Sequence, residues 1–364
     1  MKRIALVFSI FALHARGAHL HLRQRIALVF SIFALPLFAQ DEEKEEAGLF
    51  GKEAPPLAEV LASLRPDETP PEPVTWTSPQ GAIVLHGNLL GDGRHLAVVG
   101  TNATSFAVGD KSGWKLLSRL EVEPAWVPAD KAPGEVGYFR WNPPQQPFTL
   151  KDLSGDDIPE VLVVIDNGHS LSEYAIAAKK GDGFELLAVR SKDVEPEIRS
   201  GLMAAVTETS GHKSWWRGTT FYRWENGVPR ETAAFICDGT DPEISRHILV
   251  RYAADKPPRA YELKWADGVC ILRRGHWQSG VTMADLEDFA TVKVSTNPDA
   301  DDLAALSAGY ALLFERITGL PGWICLEAPY NRENYKPLLA DLKLVVEGSP
   351  EAKALLEKRT GPTR

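Results

Sequence analysis

Between about residues 81 and 280, short apolar runs alternate with Gly, Asp and Asn, the pattern of many short antiparallel strands joined by tight turns. Four hairpins stand out: FAVGDKSGWKLL around Gly109–Gly113, YAIAAKKGDGFELL around Gly181–Gly183, FYRWENGVPRE at Asn226–Gly227, and YELKWADGVCIL at Asp267–Gly268. Asn-Gly and Asp-Gly supply the positive φ that tight hairpins need. Residues 41–80 are acidic and proline-rich, and predict one short helix at about 56–64 in an otherwise extended linker. From about 281 the periodicity turns helical. Asn297-Pro298-Asp299 opens a helix, Leu303, Leu306, Tyr310 and Leu313 share one face, and Gly319 with Pro321 ends it. Further helices are predicted at about 335–347 and 350–358. The expected fold is mainly β: an antiparallel β-repeat array or propeller-like domain over 81–280, with a helical C-terminal appendage over 281–364.

An internal repeat sharpens this. NLLGDGRHLAVV from Asn88 matches DLSGDDIPEVLV from Asp152, with the Gly-Asp pair recurring 64 residues on, from Gly91 to Gly155. Each copy runs into a strand and then a hairpin, GWKLL from Gly113 and GFELL from Gly183. Both then reach Val-Glu-Pro, at Val122 and at Val194, 72 residues apart. A period of this length with several strands per copy points to a propeller or a repeated β-array. A weak third copy starts at DGTD from Asp238 and ends in the hairpin at Asp267–Gly268.

The N-terminus reads as an export signal, oddly doubled. RIALVFSIFAL at 3–13 returns word for word at 25–35, and the second copy runs on through PLFAQ into Asp41-Glu42-Glu43. Its apolar stretch, Ile26 to Ala39, is fourteen residues, too short for a bilayer span of roughly 20. A basic flank, a short apolar run and a small residue near the end describe a secretory signal cleaved after Ala39 or Gln40. A membrane anchor is the rival reading. The expected localisation is periplasmic or secreted, with no integral membrane segment once the signal is removed.

The net charge of -9 argues against a nucleic-acid partner. Residues 1–40 hold five Lys/Arg and no Asp/Glu, so the remainder has 35 basic against 49 acidic residues, or -14. A basic partner or a bound cation suits that surface, as does simple solubility. The chain has three cysteines, Cys237, Cys270 and Cys325. In an oxidising compartment Cys237 with Cys270 is the expected disulfide; three buried thiols is the alternative.

The loop at 152–160 has the chemistry of a calcium site, because Ca²⁺ takes about six to eight hard oxygens that a short loop supplies from alternate positions. Asp152, Ser154 and Asp156 stand at positions 1, 3 and 5, the carbonyl of Ile158 at 7 and the carboxylate of Glu160 at 9. Asp157 replaces the usual glycine, but Asp tolerates the left-handed region better than most residues. The first copy offers only Asn88 and Asp92 as weaker ligands, and is expected to be a turn without metal. These loops resemble those of the FG-GAP and VCBS repeat families, found in integrin-α-like β-repeats, on Asp152 to Val163 and more weakly on Asn88 to Val99. The resemblance implies a β-propeller or related array whose loop holds Ca²⁺. The region downstream, VEPEI from Val194 through FYRWENG from Phe221, resembles exported bacterial repeat proteins of the periplasmic lysozyme-inhibitor type. That resemblance implies a calcium-binding protein that blocks a lysozyme-like enzyme.

No Gly-x-Ser-x-Gly elbow and no His-Glu-x-x-His helix is present in the sequence. His169-Ser170 is read as a polar loop, and His86 and His95 as structural histidines. Trp215, Trp216 and Arg217 form the most conspicuous aromatic–basic cluster, a candidate partner-binding anchor or, for one Trp, core. The expected function is an exported, non-enzymatic, calcium-binding β-repeat protein that binds another protein or a cell-wall component. The alternative is a calcium-dependent secreted hydrolase on a propeller scaffold.

Overall fold

The computed structural model describes residues 54–79, 81–125, 146–166, 172–209, 216–238, 246–254, 256–266, 269–279, 281–295, 302–326 and 342–357. The export segment, Trp215, His169-Ser170, the third-copy loop and the tip at Asp267–Gly268 lie outside them. No helix among the described residues is long and apolar enough to cross a membrane.

The chain is a succession of antiparallel meanders. A five-stranded sheet holds β1 (Val74–Thr77), β2 (Ile83–Gly87), β3 (His95–Gly100), β4 (Thr104–Asp110) and β5 (Gly113–Leu120). A four-stranded sheet holds β6 (Phe148–Lys151), β7 (Glu160–Asp166), β8 (Ser172–Lys180) and β9 (Gly183–Lys192). A nine-stranded sheet follows in strict order: β10 (Glu197–Arg199), β11 (Leu202–Thr209), β12 (Trp216–Glu225), β13 (Val228–Asp238), β14 (Arg246–Ala253), β15 (Lys256–Ala266), β16 (Val269–Ser279), β17 (Thr282–Ser295) and β18 (Lys343–Gly348). The predicted hairpins form at their predicted places. At the third, Asn226 and Gly227 take φ of 53° and 75°, the left-handed pair a two-residue turn requires.

The first two sheets share an order of parts. Each has a loop, a buried strand, a hairpin with one register shift (at Phe106/Ala107 and at Ala175/Ala177) and a Val-Glu-Pro turn. They pack by stacking Phe106 on Phe184 with ring centroids 4.0 Å apart, and Ser118 Oγ accepts from the Phe184 N–H at 2.8 Å.

The large sheet is buried on both faces, so β13, β14 and β15 carry consecutive apolar residues where a one-sided sheet would alternate. One face packs on α2 (Asp302–Thr318): Phe221, Phe235, Leu249, Leu263 and Cys270 meet Tyr310, Leu313, Phe314 and Ile317. The helix comes so close that a Cβ on Gly309 would lie 3.0 Å from the Trp265 ring. The other face is covered by the four-stranded sheet over β11 and β12, where Met203 and Tyr222 meet Leu162 and Ile176, and by the large sheet's own far end over β13 to β15. Three register shifts bend the β16–β17 hairpin, and Trp277, Val281 and Met283 fold onto Ile236, Ile248 and Val250. Arg246 holds that fold closed, pairing with Glu262 while donating to the Val281 carbonyl at 2.8 Å.

Several expectations are corrected. The stretch before residue 81 is not wholly an extended linker. The predicted helix forms as α1 (Leu57–Ala62) with Val60 and Leu61 buried, and Val74–Thr77 adds as a strand to β2. The region after 281 is less helical than its pattern. Its first fourteen residues are β17, and 343–348, inside the range expected to be helical, pair with β17 as β18. Among the described residues there, α2, a short 3₁₀ turn (Gly322–Cys325) and α3 (Pro350–Leu356) are helical, and most of the predicted 335–347 helix lies outside them. α3 is capped by Ser349 Oγ, which accepts from the Ala352 N–H at 3.1 Å. The region read as a third copy is part of one continuous sheet, and among the described residues it forms no separate unit.

Candidate functional site

The two repeat loops share a backbone ladder. Asn88 Oδ1 accepts from the Gly93 N–H at 2.9 Å, and Asp152 Oδ2 from the Asp157 N–H at 3.1 Å, five residues on in each case. Asp92 Oδ1 accepts from Arg94 N–H at 3.0 Å, and Asp156 Oδ1 from Ile158 N–H at 2.9 Å, two residues on. Positive φ falls at equivalent positions, Gly91 with Gly155 and Gly93 with Asp157 at 65°. At the far end of each copy the valine N–H bonds two residues back at 2.8 Å, Val122 to Leu120 and Val194 to Lys192.

Their chemistry differs. In the first loop Arg94 clasps Asp92, with Nη2 and Nε at 2.7 and 2.9 Å from Oδ2, and this hydrogen bonding holds the carboxyl below its ordinary range. Arg94 thus engages the carboxylate that the sequence offered as a weaker ligand. In the second loop no arginine intervenes. Glu160 is buried and its Oε2 accepts from the Leu153 N–H at 2.7 Å. Burial raises the Glu160 carboxyl, and the charges of Asp156 and Asp152 raise it further. Ser154 Oγ lies 3.4 Å from Asp152 Oδ1. So Asp152, Ser154, Asp156 and Glu160 belong to one compact loop whose like charges gain from a hard cation. The donor set, all oxygen, is the kind Ca²⁺ takes. The carboxylates are nonetheless turned onto the loop's own N–H groups. Among the described residues no three His, Cys, Asp or Glu side chains form a group that could hold a metal.

The prominent concavity lies elsewhere. A groove of about 1020 Å³ runs between the second repeat and the large sheet. Its walls include Glu173 and Arg190 from the four-stranded sheet, and Tyr222, Arg223, Arg230 and Tyr252 from the large one. Arg190 Nη1 pairs with Glu173 at 2.9 Å. Val206 N–H donates to Ser191 Oγ at 3.0 Å and fixes the spacing of the two walls. Nothing in the sequence pointed to this groove, because its walls come from strands far apart in the chain.

Trp216 opens β12, half-buried against the aliphatic cluster that includes Ile236 and Ile248, with Arg217 beside it opposite Cys237. They lie within the large sheet, away from the 152–160 loop in sequence and outside the groove lining. The expected Cys237–Cys270 bridge is corrected: no disulfide joins the three cysteines. Cys237 is on β13 and Cys270 on β16, separated by β14 and β15. Three strand spacings of about 4.8 Å put them roughly 14 Å apart, beyond the ~7 Å Cα limit for a disulfide. Burial pushes the Cys270 and Cys325 thiols well above the ordinary thiol range, which keeps both protonated.

His86 and His95 form a buried pair with Nδ1 and Nε2 3.1 Å apart, and His95 Nδ1 donates to the Pro66 carbonyl at 3.2 Å. Trp114 packs edge-on to His95, at 4.8 Å between ring centroids. Desolvation lowers both histidines. The pair ties the segment after α1 to the first sheet. No protein-family model, no curated protein and no solved structure matches this chain, so its informative comparison is internal, the 88–122 copy against the 152–194 copy.

Proposed function

We propose that this chain is an exported, non-enzymatic, calcium-binding β-repeat protein that binds another protein or a cell-envelope component. The observation that carries the binding reading is the groove between the second repeat and the large sheet. It mixes aromatic, aliphatic, hydroxyl and charged walls, the make-up of a recognition surface. Its walls are hydrogen-bonded strands whose spacing the Val206–Ser191 bond fixes, which orders such a surface before a partner arrives. Calcium would be held by Asp152, Ser154, Asp156, the Ile158 carbonyl and Glu160, stiffening the turn that leads into β7. The resemblance to the lysozyme-inhibitor type makes a lysozyme the first protein to try.

The test is binding of the purified protein to a lysozyme and to purified peptidoglycan, each with calcium and with a chelator. Saturable, calcium-dependent binding of either without turnover supports the reading. Binding of neither, or hydrolysis of the peptidoglycan by the protein itself, overturns it.

A further inference from the structure

The groove itself narrows what it binds. In the β12–β13 hairpin, Arg223 stands directly opposite Arg230. Like charges in that register repel and cost stability. Both arginines are exposed, both line the groove, and among the described residues neither forms an ion pair. Of the lining carboxylates, Glu173 is taken by Arg190, while Glu225 and Glu231 lie on the same two strands as Arg223 and Arg230. A chain of strongly acidic balance therefore sets two guanidinium groups side by side at one concave site, where Arg190, Lys192, Arg223 and Arg230 outnumber Glu173, Glu225 and Glu231. That is an arrangement for carboxylates, which guanidinium groups bind with strong, often bidentate hydrogen bonds.

The opposite wall says what carries those carboxylates. β9 is the last strand of its sheet, pairing only with β8. At its start the Phe184 N–H is taken by Ser118 Oγ. Further along, the consecutive residues Ala188, Val189 and Arg190 all line the groove. These residues lie at the register shift of the β8–β9 pair, between Leu186 opposite Ala177 and Arg190 opposite Ala175, and there β9, the outer strand of its sheet, borders the cavity. An edge strand presents a row of N–H and C=O groups that an extended chain can pair with.

We propose that the groove binds an extended, acidic polypeptide segment of a partner protein. Its main chain adds to the edge of β9 and its carboxylates meet Arg223 and Arg230. This rests on the binding reading above and commits it to a protein partner.

The experiment is fluorescence anisotropy of the full protein with a labelled peptide of alternating Glu and Val. Two comparison peptides are used: Gln in place of Glu, and alternate backbone N-methylation. The variants are Arg223→Gln, Arg230→Gln and the double variant. Removing one of two opposed cations should leave the melting temperature unchanged or higher, which confirms folding. The Glu/Val peptide is expected to bind saturably and more weakly as salt rises. Each single variant should weaken it about tenfold, the loss of one hydrogen bond to a charged group. The Gln and N-methylated peptides should bind at least tenfold more weakly. Equal binding by the double variant, or by either comparison peptide, overturns the proposal. Tighter competition by an anionic polysaccharide at the same arginines also overturns it and assigns the site to glycans. If the lysozyme or peptidoglycan binds while the acidic peptide does not, the binding reading stands and this inference falls. If neither of those binds but the peptide does, the groove assignment stands and the named partners fall.

Discussion

The His86–His95 pair should make the protein acid-sensitive in a way that one substitution removes. The Pro66 carbonyl can only accept, so His95 must carry its proton on Nδ1, which leaves Nε2 as an acceptor. His86 must then donate from Nδ1 across the 3.1 Å gap. A proton added to His86 on its other nitrogen leaves both bonds in place. A proton added to His95 sets two N–H groups against each other. The folded pair thus accepts at most one extra proton, whereas the unfolded chain takes two, with a midpoint near 6.5. Both histidines are lowered by desolvation, so the folded state binds fewer protons than the unfolded one below that pH. Stability is full above pH ~6.5 and declines as pH falls from there. His95 is 2% exposed, and a single blocked proton gives a slope of about 1.4 kcal/mol per pH unit, or roughly 2 kcal/mol by pH 5. His95→Phe keeps an aromatic ring beside Trp114 and removes the titration. It leaves the Pro66 carbonyl and His86 Nδ1 without partners, which lowers the whole curve by about 1–3 kcal/mol at every pH. The assay is urea unfolding of both proteins across this pH range. The variant's curve should be flatter below pH ~6.5 by about 1.4 kcal/mol per unit. Parallel curves would refute the argument that folding blocks a proton at His95.

Two further predictions concern the repeats. Calcium at a hundredfold excess over its Kd should stabilise the protein by about 2.7 kcal/mol, seen by calorimetry as a rise in Tm of several degrees, and Asp156→Ala should abolish that response. An equal response from the variant would place any calcium elsewhere. Phe184→Ala removes the ring stacked 4.0 Å from Phe106 and should cost about 3–5 kcal/mol in urea unfolding, whereas a loss below about 1 kcal/mol would mean this stack does not hold the first two sheets together.

What the sequence determines by itself here is local. Hairpin turns and the short helix near Leu57 depend on residues close in the chain, and each appears where its pattern put it. The Asp157 turn belongs to the same class: Asp can take the left-handed φ that glycine takes in the first copy, so the ladder survives the substitution. What fails are segments whose state is set by distant partners. TMADLEDFATVKVS mixes acidic and apolar residues without a strand's clean alternation. It is a strand because Glu287 and Asp288 stand opposite Arg274 and Arg273 of β16. KLVVEG is a strand because β17 offers it an edge, and VTWT because β2 does. The cysteine pairing fails for the same reason, since strand order decides which thiols can meet and no spacing in the sequence encodes it. The groove was out of reach of any local pattern. The Asn226-Gly227 turn sets Arg223 opposite Arg230, but β9 becomes a groove wall beside them only when two sheets pack. Turn chemistry is short-range and written in neighbouring residues. Register and packing are chosen by the burial of whole faces, and only the tertiary structure decides them.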